Sequence, residues 1–99
     1  MIFAEVLDRA RDSLGLLTSD ARVDAETVLG ICADIESGKP SPEARRQLLA
    51  AVELLARRRS QAIPFATLGR AALAELAGAP RDREQLVLET SRNLSLLGL

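Results

Sequence analysis

SGKPSPEARRQLL, residues 37–49, is the stretch from which this chain is best read outward. Glycine and two prolines within six residues break any helix or strand that enters. Ser41-Pro42-Glu43 then has the form of a helix start: a serine cap, proline at the first position, an acid in the first turn. Downstream, Leu48, Ala51, Val52 and Leu55 recur at helical spacing, which predicts a helix to about Arg59. Pro64 then requires the helix to end by Ala62. Upstream, Val23, Ala25, Val28, Leu29, Cys32 and Ile35 predict a helix from a Ser19 or Asp20 cap to about Glu36. Its apolar positions cover more than one face, so it should be central, with Gly30 marking a close helix crossing.

Three further helices follow from the same rules. Phe3, Leu7, Ala10 and Leu14, widened by Ile2 and Val6, predict a first helix over 2–14 stopped at Gly15. Phe65, Leu68, Ala72 and Leu76 share a face of a fourth over 65–77, in one piece or in two around Gly69. Asp82 and Gln85 form a capping-box-like start for a fifth, which carries Leu86, Val87, Leu94 and Leu97 and ends at Gly98. The expectation is an all-α, compact bundle of four to five helices forming one domain over 1–99. The second and third helices should lie at its centre.

Composition agrees with that class and excludes several functions. The 99 residues suffice for one modest core, and they are rich in Leu and Ala with only two aromatics, Phe3 and Phe65. Twelve of the thirteen bases are arginine, as a GC-rich bacterial genome would encode. A single cysteine, Cys32, allows no internal disulfide, which fits a reducing cytoplasm. The beginning MIFAEVLDRA has no basic signal-peptide region, and no apolar run is long enough for a membrane span. With no histidine, neither a Ser/His/Asp triad nor a usual zinc site can be assembled. Phosphate-cradling glycine loops are absent from the sequence. The acid pairs Asp8/Asp12 and Asp20/Asp24 have Arg9, Arg11 and Arg22 close by, which reads as a solvated mixed-charge face. No catalytic residue, metal ligand or cofactor site is therefore expected.

The charges are nonetheless uneven. Residues 1–38 hold eight acids and three arginines, while residues 39–70 hold seven bases and two acids, within a net charge of −1. Arg45, Arg46 and the triplet Arg57-Arg58-Arg59 could form a basic stripe for a polyanion. The chain lacks both the strong positive charge and the aromatic platforms of most nucleic-acid readers. Each arginine also has a structural task available, as in Arg57 pairing with Glu53 at i, i+4.

Two segments carry a family resemblance. ARVDAETVLG, residues 21–30, and SPEARRQLL through LLARRRSQAIPFATLG, residues 41–69, resemble the N-terminal helical domain of the release-factor glutamine methyltransferase family. The turn here reads Ser60-Gln61-Ala62-Ile63-Pro64, without that family's Gly-Glu before proline. Its catalytic Asn-Pro-Pro-Tyr and cofactor-binding glycine loop have no counterpart in these residues. The resemblance implies a helical domain that recognises a protein partner and performs no methyl transfer of its own.

The function expected is a small non-enzymatic protein–protein interaction module: an adaptor, chaperone or assembly subunit, capable of self-association. Its expected contacts are Phe65, Leu68, Leu96 and Leu97, with Arg57 and Arg58; Leu99 belongs to the same apolar surplus. The alternative is a nucleic-acid-binding regulator using Arg45, Arg46 and Arg57–Arg59.

Overall fold

A computed structural model describes residues 3–58 and 60–98. Among the described residues five helices are present, α1 Phe3–Asp12, α2 Ser19–Glu36, α3 Ala44–Ala56, α4 Ile63–Leu76 and α5 Pro80–Leu96, with single 3-10 turns at Leu14–Leu16 and Ser60–Ala62. The fold is an all-α bundle, as the apolar periodicity requires. Expectations for Ile2, Arg59 and Leu99 lie outside the described residues.

The breaker at 37–42 works through its glycine as much as its prolines. Gly38 adopts φ +76°, and the N–H of Lys39 reaches back to the carbonyl of Asp34 at 2.9 Å, closing α2. Gly78 (φ +71°) ends α4 in the same way, with Ala79 N–H on the carbonyl of Ala74. Ser41 does prepare α3: its Oγ accepts the N–H of Glu43 at 3.2 Å. The Ser41-Pro42-Glu43 segment nevertheless forms a turn that leads into the helix, which begins at Ala44. Thr18 rather than Ser19 or Asp20 occupies the cap position of α2, with extended backbone and the Arg22 N–H on its carbonyl.

The C-terminus of α3 comes earlier than expected. Arg57 and Arg58 donate backbone N–H groups to the carbonyls of Leu54 and Leu55 in a tightened last turn, and the 3-10 turn Ser60–Ala62 reverses the chain. Pro64 then stands in the first turn of α4, where a missing N–H costs nothing.

The central element is α4, which corrects the placement of the second and third helices at the centre. Pro64 through Gly69, Ala71 and Ala72 are all buried, and α4 packs on α5, α3 and α2. The reason lies in its composition: IPFATLGRAALAEL is apolar or small almost all round, with Arg70 and Glu75 its only charges. Gly69 lets α3 and α2 approach α4 closely, since a Cβ there would lie 2.4 Å from Val52 Cγ2. That contact also keeps α4 in one piece through the glycine. Gly30, expected at a crossing, faces open space, and Val23 of the same helix is 65% exposed. Thus α2 buries one side only.

Polar links join the flanking helices. Arg9 of α1 donates to the Oγ atoms of Ser91 and Ser95 on α5, and Asn93 of α5 donates to Thr67 Oγ1 on α4 at 3.2 Å. Arg83 lies 5.1 Å above the Phe3 ring and pairs with Glu75 at 3.2 Å, tying the start of α1 to α5 and α4.

Candidate functional site

The residues expected to form a contact surface divide into three groups. Phe65 and Leu68 are fully buried core side chains. Their assignment to a surface is corrected: the same stripe that defines α4 faces α3 and α5, so these residues hold the bundle together. Leu96 is 84% exposed and Leu97 half-buried, and with Ile63 and Asn93 they line a shallow cavity of about 180 Å³. Arg57 and Arg58 line a different and larger cleft.

That cleft, of about 490 Å³, is formed where the start of α2 meets the end of α3. Its apolar floor is Leu17, Ala21 and Ala62, all buried. Thr18, Gln61, Arg57 and Arg58 supply polar groups, and Leu16 projects beside them, 58% exposed. The position of each group follows from local structure. The 3-10 turn Leu14–Leu16 turns Leu17 inward and leaves Leu16 outside, because three residues per turn place neighbours on different sides. The early end of α3 puts Arg57 and Arg58 in the connection, where successive residues need not diverge as on a helix. Arg22 Nη2 donates to the Leu17 carbonyl at 3.3 Å and steadies the turn.

Both cleft arginines have carboxylate neighbours. Arg57 pairs with Glu53 at 2.6 Å on the exposed surface, the pairing expected from the i, i+4 spacing. Arg58 lies 3.8 Å from Asp24 of α2. The exposed Arg57–Glu53 pair contributes only about 0.2–1 kcal/mol, so the Arg57 guanidinium can turn to a new acid at small cost, whereas the Arg58–Asp24 pair is more covered. Arg46 pairs with Glu43 on the surface of α3, and Arg45 is exposed beside it. The stripe of arginines thus forms one exposed edge of α3 and its connection, with carboxylates interleaved.

Elsewhere the titratable groups offer little chemistry. Asp8 pairs with Arg11 at 3.3 Å. Burial pushes the Cys32 thiol up to about 12, with Glu36 adding to the shift, so the thiolate nucleophile is suppressed. Among the described residues no three Cys, Asp or Glu side chains come together as a metal site, and no helix is long and apolar enough to cross a membrane.

Leu16 is the residue that sequence reading missed. Leu16 and Leu17 follow Gly15 outside the stripe of the first helix, and two leucines in a connection are the only signal the sequence offers. Comparison with family models, curated proteins and solved structures finds no match to this chain.

Proposed function

We propose that this chain is a small non-enzymatic protein–protein interaction module whose working surface is the cleft between the start of α2 and the end of α3. The observation that carries the reading is the juxtaposition of exposed Leu16, an apolar floor and the guanidinium groups of Arg57 and Arg58. An apolar side chain of a partner would fill the floor, while carboxylates beside it would exchange with Glu53 and Asp24 on the arginines. Peptide recognition commonly combines such an apolar anchor with charged groups that set orientation. The resemblance to a partner-recognition domain supports the same reading, as a binding role for a helical domain.

The test is selection from a random-peptide display library on the full chain, followed by fluorescence anisotropy on the peptides recovered. Peptides pairing acidic and large apolar residues are expected, with binding weakened about tenfold or more by Leu16→Arg and by the double substitution Arg57→Glu/Arg58→Glu. Recovery of nothing above a blank surface, or peptides indifferent to these variants, overturns the reading. Salt-sensitive retention of duplex DNA or RNA, lost when Arg57 and Arg58 become alanine, would move the assignment to a nucleic-acid-binding regulator.

A further inference from the structure

Arg22 does not line the cleft, yet its side chain reaches the turn that shapes it. Three acids stand near it on α2, Asp20, Asp24 and Glu26, the last at i+4 on the same face. Among the described residues Arg22 forms an ion pair with none of them, and Asp24 pairs with Arg58 instead. The guanidinium turns back over the start of the helix, and Nη2 donates to the Leu17 carbonyl at 3.3 Å. Nε is left buried, with no acceptor among the described residues. A buried donor on a charged group is costly to leave unpaired, whereas water or Glu26 would satisfy an arginine on the outside of α2. Stability alone does not select this arrangement. What it secures lies at the other end of the bond.

The Leu17 carbonyl belongs to a loosely built connection. The 3-10 turn Leu14–Leu16 rests on two backbone bonds, Leu16 N–H to the Ser13 carbonyl and Leu17 N–H to the Leu14 carbonyl, each 3.1 Å. Bonds of this kind are less well aligned than those of an α-helix. Gly15, in the middle of the turn, is not among the glycines at positive φ, and a Cβ there would meet nothing within 4 Å. Neither backbone conformation nor space calls for glycine here, so it adds only freedom that ordering the turn must remove. Leu16 is therefore presented, 58% exposed, from a stretch of chain with little hold of its own, beside the buried floor that Leu17 helps to form.

We infer that Arg22 is a positioning residue of the cleft: its bond to Leu17 holds the Leu14–Leu17 turn in the form that keeps Leu17 in the floor and Leu16 at the rim. Without that bond the turn loosens, and Leu16 can settle on the apolar floor that a partner's side chain would take. The fraction of molecules with the turn formed then sets the apparent affinity. This consequence for binding rests on the cleft reading above, whereas the hold on the turn does not.

Hydrogen exchange on the full chain, read at the Leu16 and Leu17 amides, tests the hold on the turn. Arg22→Met keeps an unbranched apolar stem and removes the guanidinium together with its unpaired Nε. It should raise exchange at these two amides about tenfold or more while α3 and α4 stay protected as in wild type. The urea midpoint should not fall, because the lost bond to Leu17 is offset by the relief of Nε. Peptides recovered against the cleft should bind Arg22→Met about threefold or more weakly, although the residue does not line the cleft. Gly15→Ala restricts the open turn, and in the Arg22→Met background it should recover about two- to fivefold of both effects. Unchanged exchange at the turn overturns the inference, as does a loss of protection throughout the bundle, which would make Arg22 a residue of the fold. Weakened binding that Gly15→Ala does not recover overturns it too, and so does unchanged binding once the turn is open. Failure of the cleft reading looks different: peptides are then indifferent to Leu16→Arg, and exchange at the turn alone decides the role of Arg22.

Discussion

Replacing Gly69 by alanine should destabilise the protein, although the same change in most helix interiors stabilises it. Alanine in place of a mid-helix glycine gains about 1 kcal/mol through helix propensity and a less disordered unfolded chain. At Gly69 the new Cβ would lie 2.4 Å from Val52 Cγ2, with Val28 Cγ2 at 3.4 Å. An ordinary carbon contact lies near 3.5–4.0 Å, so α3 and α4 must separate by roughly 1 Å or Val52 must leave its rotamer. A β-branched side chain on a helix has one strongly preferred rotamer, and Val52 is buried, so neither relaxation is easy. Overpacking of this kind costs at the upper end about 3 kcal/mol, leaving a net loss of about 2 kcal/mol. For a domain of this size that lowers the Tm by about 8–16 °C. Gly30→Ala is the control: its Cβ meets nothing, so that variant should gain about 0.5–1 kcal/mol. Urea denaturation followed by circular dichroism measures both. Val52→Ala removes the clashing methyl, so the double variant Gly69→Ala/Val52→Ala should be about 3 kcal/mol more stable than additivity predicts, the full overpacking cost. A Gly69→Ala protein as stable as wild type, or a double variant that is simply additive, would refute the close-approach argument.

Other outcomes follow from the same packing. Phe65→Ala should cost about 3–5 kcal/mol in denaturant titration, as a fully enclosed aromatic does; a loss below about 1 kcal/mol would return Phe65 to the surface. The Cys32 thiol should resist alkylation at pH 8 in the folded protein and react on unfolding, and rapid native labelling would contradict its burial. Its folded pKa of about 12 lies above the ordinary thiol value of 9.0, so the folded state keeps the proton that the unfolded state loses between those values. Stability should be unaffected by this group below pH 9 and fall above it, by up to about 1.4 kcal/mol per pH unit, with the slope absent in Cys32→Ala. The chain has no tyrosine, which removes one class of group from this alkaline window. Arg57→Ala should change stability by less than about 0.5 kcal/mol, because its Glu53 pair is exposed.

What was legible beforehand was the local structure. Gly38 and Gly78 end helices because only glycine takes positive φ without strain. Pro64, expected to stop the third helix with the fourth starting at Phe65, stands instead in the first turn of α4, where its missing N–H costs nothing. These are properties of a few neighbouring residues, and the class of the fold follows from them together with the apolar spacing at 3.6 residues. The candidate site was legible only in part: Arg57 and Arg58 were in view, while Leu16 was hidden in a short connection whose geometry no periodicity reports.

The sequence by itself therefore determined an all-α bundle of four to five helices and the stops set by Gly38 and Gly78. Which helix occupies the centre was decided by tertiary packing. Burial is settled by the number of faces a neighbour covers, and α2 and α4 have apolar residues on several faces alike. Gly69 allows α4 to be covered by α3 and α2, whereas nothing covers Gly30. With that difference go the burial of Phe65 and Leu68 in the core and the exposure of Val23.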